Sequence, residues 1–191
     1  MRTLIKTENS SLNEYDFENP ELIENCIDEI KDKLLVNPPI KVFNKPAIQH
    51  RSIGFFSDTS IGYHYSKQLA KSQPLSDNLK NLLDIVNNLF KVNFNGILVN
   101  RYADGKDYIG SHSDDEKNLT DVGVVAISYG AIRKFRIRDK KTNSIVKDIE
   151  TIPNKIIQMA GKFQKEFKHE IPIERKITEP RYSFTFRKHT I

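Results

Sequence analysis

The chain changes its hydrophobic period near Val92. Before that point two segments repeat apolar residues at helical spacing. Leu22, Ile23, Cys26, Ile27, Ile30 and Leu34 share one face of a predicted helix, with Glu21 and Glu24 in its first turns. Asn19-Pro20 opens it, since proline's missing N–H has no partner to lose at the first helical position, and Asn37-Pro38-Pro39 ends it. Leu79, Leu82, Leu83, Val86, Leu89 and Phe90 form a second such face behind Ser76, whose hydroxyl suits an N-cap. Between the helices a hairpin is expected from Ile40 to Phe56, with Asn44-Lys45-Pro46 as its turn. Residues 1–18 are polar and are expected to fray.

After Val92 the period becomes two. Strands are expected at 97–102, 108–114, 123–129, 132–138, 145–151, 155–159, 163–168 and 181–187. Asp104-Gly105, Thr142-Asn143-Ser144 and Ala160-Gly161 provide turns between them. A helical lead-in followed by about eight short strands predicts an α+β, mainly β fold: an antiparallel barrel or jelly roll with helices packed on one sheet. No internal repeat or linker is evident, so residues 1–191 read as one domain.

Composition narrows the class. An apolar content of 38% and a charged content of 29% fit a globular protein, and no apolar run reaches membrane-spanning length. Met1-Arg2-Thr3-Leu4-Ile5-Lys6 has no apolar h-region, so secretion is not expected. Cys26, the single cysteine, excludes an intrachain disulfide and suits a reducing compartment. An intracellular monomer is therefore expected, in nucleus or cytoplasm. The net charge of +5 is unevenly spread. Residues 1–130 carry 14 Lys+Arg against 18 Asp+Glu, or −4, whereas residues 131–191 carry 16 against 7, or +9. The second part is either a footprint for a polyanion or a solvated lysine-rich surface.

Candidate chemistry starts at His112-Ser113-Asp114, followed by Asp115 and Glu116. Residues i and i+2 of a strand face the same way, so an imidazole and a carboxylate can meet one metal ion. Two histidines and one carboxylate with open positions beside them form the non-haem Fe(II) oxygenase arrangement. Spacing does not choose the other histidine among His50, His64, His169 and His189. In Arg181-Tyr182-Ser183-Phe184-Thr185-Phe186-Arg187 one face is aromatic and the other polar with two guanidiniums. Arginine suits bidentate capture of a carboxylate. Asn100 and Tyr102 share a face of the strand leading toward His112.

Together these residues resemble the AlkB-type Fe(II)/2-oxoglutarate dioxygenases. The resemblance rests on Asn100-x-Tyr102-x-Asp104-Gly105, Ile109-Gly110-x-His112-x-Asp114-Asp115-Glu116, Ser128-x-Gly130-Ala131-x-Arg133-x-Phe135, His169, and Arg181 and Arg187, and covers residue 96 to the end. It implies a double-stranded β-helix core over 96–191. It implies Fe(II) held by His112, Asp114 and His169, and 2-oxoglutarate held by Arg181 and Tyr102, with Arg187 and Asn100 toward the metal end and O2 as the oxidant. Over 40–66 the chain is similar to the DNA-repair branch. Phe43 in Lys41-Val42-Phe43-Asn44-Lys45 is the implied wedge into the base stack, and Arg51 an implied contact to the strand. Tyr63 and Tyr65 are the implied lid over a flipped base, with Asp115 and Glu116 as its polar readers. The activity this implies is oxidative demethylation of N-alkylated bases in DNA, of the 1-methyladenine and 3-methylcytosine type, releasing formaldehyde, succinate and CO2. The alternatives are the same chemistry on RNA or a protein, a small-molecule oxygenase, and a non-catalytic nucleic-acid-binding jelly roll.

Overall fold

A computed structural model describes residues 1–42, 45–65, 68–114 and 121–189, with the side chains of 42, 64, 65 and 68 left aside. The chain opens with β1 (Arg2–Lys6), β2 (Ser10–Asp16), α1 (Pro20–Ile30), β3 (Pro39–Val42) and β4 (Lys45–Ile48). It continues with β5 (Ser52–Phe56), β6 (Gly62–Tyr65), β7 (Gln68–Gln73), α2 (Asp77–Phe90), β8 (Gly96–Tyr102) and β9 (Ile109–His112). It closes with β10 (Val124–Gly130), β11 (Lys134–Asp139), β12 (Ile145–Glu150), β13 (Lys155–Gly161), α3 (Phe163–Glu166), β14 (Phe167–Ile171) and β15 (Arg181–Arg187). Among the described residues a large sheet runs β1-β2-β13-β10-β15-β8-β5-β7-β6, a small one β12-β11-β14-β9, and β3-β4 stand as a separate hairpin. This is the jelly roll expected from the sequence.

Both long helices start at their predicted caps. Asn19 accepts from the Leu22 amide at 3.1 Å and Ser76 from the Leu79 amide at 3.3 Å. Their apolar faces, with Leu22, Ile23, Cys26 and Ile30 from α1 and Leu79, Leu82, Leu83 and Val86 from α2, pack on one face of the large sheet. That face presents Ile97, Val99, Val125, Ile127, Phe184 and Phe186. Period two turns the alternate residues of β8, β10 and β15 to the opposite face, where they line a cavity shared with the small sheet.

Three expectations change. Residues 1–18 do not fray. Instead β2 pairs along β13 from Ser10↔Gly161 to Asp16↔Lys155, and Leu12 is buried in a second core with Ile157, Met159, Phe163 and Phe167. Its polar neighbours are satisfied within the fold: Asn13 and Tyr15 both donate to Gln158, at 3.2 and 2.9 Å, and Arg2 pairs with Glu14 at 2.9 Å. The strand expected at 163–168 is a helical turn, α3, with β14 beginning at Phe167. A spacing of four between Phe163 and Phe167 satisfies both periods, and the rings meet at 4.9 Å across the turn. The hairpin is shorter than expected, because Val42 pairs with Lys45, so Lys45 and Pro46 belong to β4 and β5 joins the large sheet. Pro46 sits in a two-stranded ribbon, where a missing N–H costs little.

Two features hold the cavity end of β8 and β15 in place. Gly130 ends β10 opposite Arg181 at φ +88°, and a Cβ there would lie 2.3 Å from the Pro180 carbonyl oxygen. Arg133, fully buried, donates to the carbonyls of Asp104 (2.9 Å), Asp107 (2.9 Å) and Pro172 (2.8 Å) and pairs with Glu174 at 3.3 Å. It thereby ties the loop after β8 to the loop after β14.

If β2 is an integral strand, Leu12→Ala should destabilise the protein by about 2–4 kcal/mol in a denaturant titration. A loss below about 0.5 kcal/mol, the usual range for surface changes, would show that the segment is frayed.

Candidate active site

The small sheet supplies the two imidazoles. His169 on β14 and His112 on β9 are directly opposite in register, with ring centroids 4.3 Å apart. Neighbouring antiparallel strands bring them together. Strand β9 ends at His112, so strand geometry does not place Asp114. Side chains do this instead: the Asp114 amide donates to Gln164 Oε1 at 2.9 Å, and Ser113 Oγ donates to the Phe167 carbonyl at 2.9 Å. Gln164 also donates to Met159 Sδ at 3.4 Å. Neither Gln164 nor Met159 carries a signal in the sequence, because the Asp114 amide lies 50 positions from Gln164 and an amide–thioether contact follows no sequence pattern.

His112 Nδ1 lies 2.8 Å from the Gly110 carbonyl, so it carries the proton and leaves Nε2 for a ligand. Asp114 Oδ1 is 3.8 Å from His112 Nε2, and Oδ2 is 3.6 Å from His169 Nε2. One ligand atom from each of the three residues lies within 4.8 Å of the others. Arg187 on β15 reaches across from the large sheet, its Nη1 3.2 Å from Asp114 Oδ1 and its guanidinium 4.9 Å from the Tyr63 ring centre.

The titration behaviour follows from burial and these contacts. Burial alone would raise the Asp114 pKa, but Arg187 and the two imidazoles outweigh it and hold the carboxyl well below the usual range. Burial lowers the His112 pKa and pushes His169 down to about 3, with Asp114 opposing in both. The group is thus an ionised carboxylate beside two neutral imidazoles. That donor set fits a divalent first-row metal, and the cavity leaves further positions beside it.

Arg181 lines the same cavity from the other end of β15, six residues or roughly 20 Å of strand from Arg187. It is buried, and it donates from Nε to Thr151 Oγ1 at 3.0 Å and from Nη2 to Ser128 Oγ at 2.9 Å. Its guanidinium lies 5.3 Å from the Tyr102 ring centre, and burial pushes its pKa down to about 10, so it stays cationic at neutral pH. Tyr102 is its cross-strand partner in register. Ser128 and Thr151 bracket Arg181; Ser128 belongs to the motif that carries the resemblance, without an assigned role, and Thr151 carries no signal in the sequence. Ser128 lies beside Ser183 in register, a pairing that only the fold reveals.

The remaining sequence candidates divide. Asn100 faces the cavity and accepts from Arg51 Nε at 2.8 Å. Arg51, the implied contact to the strand, is buried in the cavity wall beside Asn100. Tyr63 is buried against Arg187, Phe55 and His189. Phe43, Asp115 and Glu116, and the side chain of Tyr65, lie outside the described residues. The space between the walls is about 660 Å³ including its open mouth.

Comparison with known proteins agrees with this geometry. The sequence profile of the 2OG-Fe(II) oxygenase superfamily matches residues 16–187. The DNA oxidative demethylase ALKBH2 of Homo sapiens is 31% identical over 157 residues, which cover 78% of this chain and 60% of that protein. ALKBH2 of Bos taurus is 30% identical over 158 residues, covering 78% and 56%. The alpha-ketoglutarate-dependent dioxygenase alkB homolog 3 of Mus musculus is 35% identical over 103 residues, covering 49% and 36%. The matched region thus spans little more than half the length of these ALKBH2 proteins. A solved structure of OsALKBH1 superimposes with a TM-score of 0.61 over 96% of this chain and 100% of that one, at 13% identity, and so shares the fold. With all but the ends of its sequence matched and an acid-and-imidazole cluster inside a jelly roll, this chain belongs to the 2OG-Fe(II) oxygenase superfamily and is AlkB-like within it.

Proposed function

We propose that the protein is an Fe(II)- and 2-oxoglutarate-dependent oxidative demethylase of N-alkylated bases in DNA, of the 1-methyladenine and 3-methylcytosine kind. The observation that carries this reading is a single buried cavity lined by His112, Asp114 and His169 and, a strand length away, by Arg181. The ALKBH2 relatives, named DNA oxidative demethylases, support the substrate class.

His112, Asp114 and His169 would hold the iron. When bound, Fe(II) and 2-oxoglutarate supply oxidation by O2: the cosubstrate yields succinate and CO2, and an N-methyl group becomes a hydroxymethyl that leaves as formaldehyde. Arg181 is the partner for the distal carboxylate of 2-oxoglutarate, with Tyr102 beside it. Ser128 and Thr151 hold two of its donors, so the guanidinium needs little reorganisation on binding. Arg187 keeps Asp114 ionised and oriented, and Asn100, steadied by Arg51, lines the wall between. Tyr63 stands over Arg187 as one side of the base lid. Phe43, Tyr65, Asp115 and Glu116 keep the base and strand roles that the resemblance implies. A methylated N1 of adenine or N3 of cytosine is cationic, which Asp115 and Glu116 would favour, and a lesion that blocks pairing lowers the cost of flipping the base out. The positive balance of residues 131–191 suits phosphate binding that weakens as salt rises.

Formaldehyde and succinate should appear together only with Fe(II), 2-oxoglutarate and methylated DNA. Faster turnover of a matched methylated RNA or peptide would move the substrate class. His112→Ala should abolish turnover and weaken metal binding at least tenfold, and full activity in that variant would remove the metal assignment. Arg181→Ala should raise the KM for 2-oxoglutarate by about 10- to 100-fold, from the loss of a charge-assisted contact worth roughly 1.5–3 kcal/mol. An unchanged KM would remove Arg181 from the clamp.

Burial holds His169 and His189 at about 3, below the ordinary 6.5, so the unfolded chain takes up protons that the folded chain refuses. The contribution of these two groups to stability is therefore fully present above about 6.5 and is lost as pH falls toward 3. The metal-free protein should melt progressively lower between pH 7 and pH 4, with a shallower slope in His189→Asn. A flat profile would show that these imidazoles titrate normally in the fold.

A further inference from the structure

Tyr63, one side of the proposed base lid, is carried by β6, the end strand of the large sheet. Among the described residues β6 has one ladder, with β7, in which Tyr63 lies opposite Ala70. A strand paired on one side opens locally at low cost, so backbone pairing alone fixes the ring weakly. Side chains rooted deeper in the sheet hold it. Phe55 on β5 lies 6.2 Å away, tilted by 30°. His189, two residues past the end of β15, meets it edge to face at 5.9 Å and 87°. Tyr63 in turn covers the Arg187 guanidinium and lines the catalytic cavity.

The place of His189 is built by other residues. Asn95, just before β8, holds both sides of its peptide: Oδ1 accepts from the His189 amide at 2.7 Å, and Nδ2 donates to the His189 carbonyl at 3.1 Å. The imidazole and the Phe55 ring close over Gly96, with centroids 4.5 Å apart at 71°. A Cβ on Gly96 would lie 2.7 Å from Phe55 Cζ and 2.8 Å from His189 Cδ2, so the absent side chain makes room for both rings. Burial, aided by Arg187 and opposed by Asp114, pushes the His189 pKa down to about 3. The ring is therefore neutral and adds no second cation beside Arg187. An aliphatic side chain would fill this space with no imidazole to desolvate, but only a ring gives Tyr63 an edge-to-face contact, which fixes an angle as well as burying area.

We propose that His189 is a positioning residue for substrate binding, which sets the angle of the Tyr63 ring over the flipped methylated base. The inference rests on the demethylase reading above, in which Tyr63 is part of the lid. His189 itself does not touch the base. It acts through Tyr63, and Asn95 and Gly96 act through His189.

The test measures binding of fluorescently labelled methylated and unmethylated oligonucleotides to protein loaded with Mn(II) and 2-oxoglutarate. His189→Leu keeps the volume and removes the ring. Gly96→Ala keeps the histidine and displaces its ring, so it carries the test should His189→Leu not fold. Each should weaken binding of the methylated strand about tenfold, the scale of one lost aromatic pair. Affinity for the unmethylated strand, for Mn(II) and for 2-oxoglutarate should stay within roughly twofold. Tyr63→Ala should show the same selective loss, and the double variant His189→Leu/Tyr63→Ala should lose no more than Tyr63→Ala alone, as expected of residues that act as one unit. Unchanged binding of the methylated strand in a folded variant would overturn the inference and leave the demethylase reading intact. Additive losses would also overturn it, since His189 would then act by a route other than Tyr63. So would a parallel loss of Mn(II) or 2-oxoglutarate affinity, which would place His189 in support of the metal end through Arg187. A wild type that binds both strands equally and turns over no methylated nucleic acid would remove the inference together with the reading it rests on.

Discussion

Asp114 is a nearly buried carboxylate, and the site is arranged around the cost of keeping it charged. Removing a carboxylate from water is unfavourable unless neighbouring charge and hydrogen bonds compensate. Arg187 supplies the charge at 3.2 Å, and the two imidazoles stay neutral beside it. Gln164 holds the Asp114 backbone just past the end of β9. Each contact comes from a different element, so the carboxylate is in place only when both sheets are. Losing one partner leaves the others facing an uncompensated charge.

The period-two pattern makes that dependence structural. Phe184 and Phe186 of β15 anchor the large sheet to the helices, and the intervening side chains and Arg181 and Arg187 line the cavity. A slip of one residue would exchange core and site. Arg181 is aimed by Ser128 on β10, by Thr151 after β12, and by the closeness that Gly130 permits at Pro180. Helix packing and the proposed cosubstrate clamp therefore depend on the same strand register.

Those parts of the molecule in which local pattern and tertiary role agree were legible in the sequence. Helices α1 and α2 begin at Asn19 and Ser76 because their caps and their apolar faces give the same answer. The span of β15, 181–187, was visible because its two faces differ in chemistry. Legibility ended where partners are distant. Asn13 and Tyr15 look like surface residues until Gln158, more than 140 positions away, accepts from them. The helical turn at Phe163–Glu166 was misread because two phenylalanines four apart fit a strand and a helix equally. His169 was one of four candidates until β9 and β14 paired, and only then did it lie opposite His112. Gln164 carried no signal, because its partners are a backbone amide and a thioether.

The proposed function links the two ends of the cavity: His112, Asp114 and His169 would hold the metal, and Arg181 would hold the far carboxylate of a dicarboxylate bound to it. Calorimetric titration of 2-oxoglutarate into the metal-free protein, and into protein carrying Mn(II) as a non-oxidising substitute for Fe(II), tests that connection directly. Affinity should be at least tenfold higher with the metal, and Arg181→Ala should lose most of that gain. Equal affinity with and without the metal would contradict it, because the cosubstrate would then not lie between the two ends.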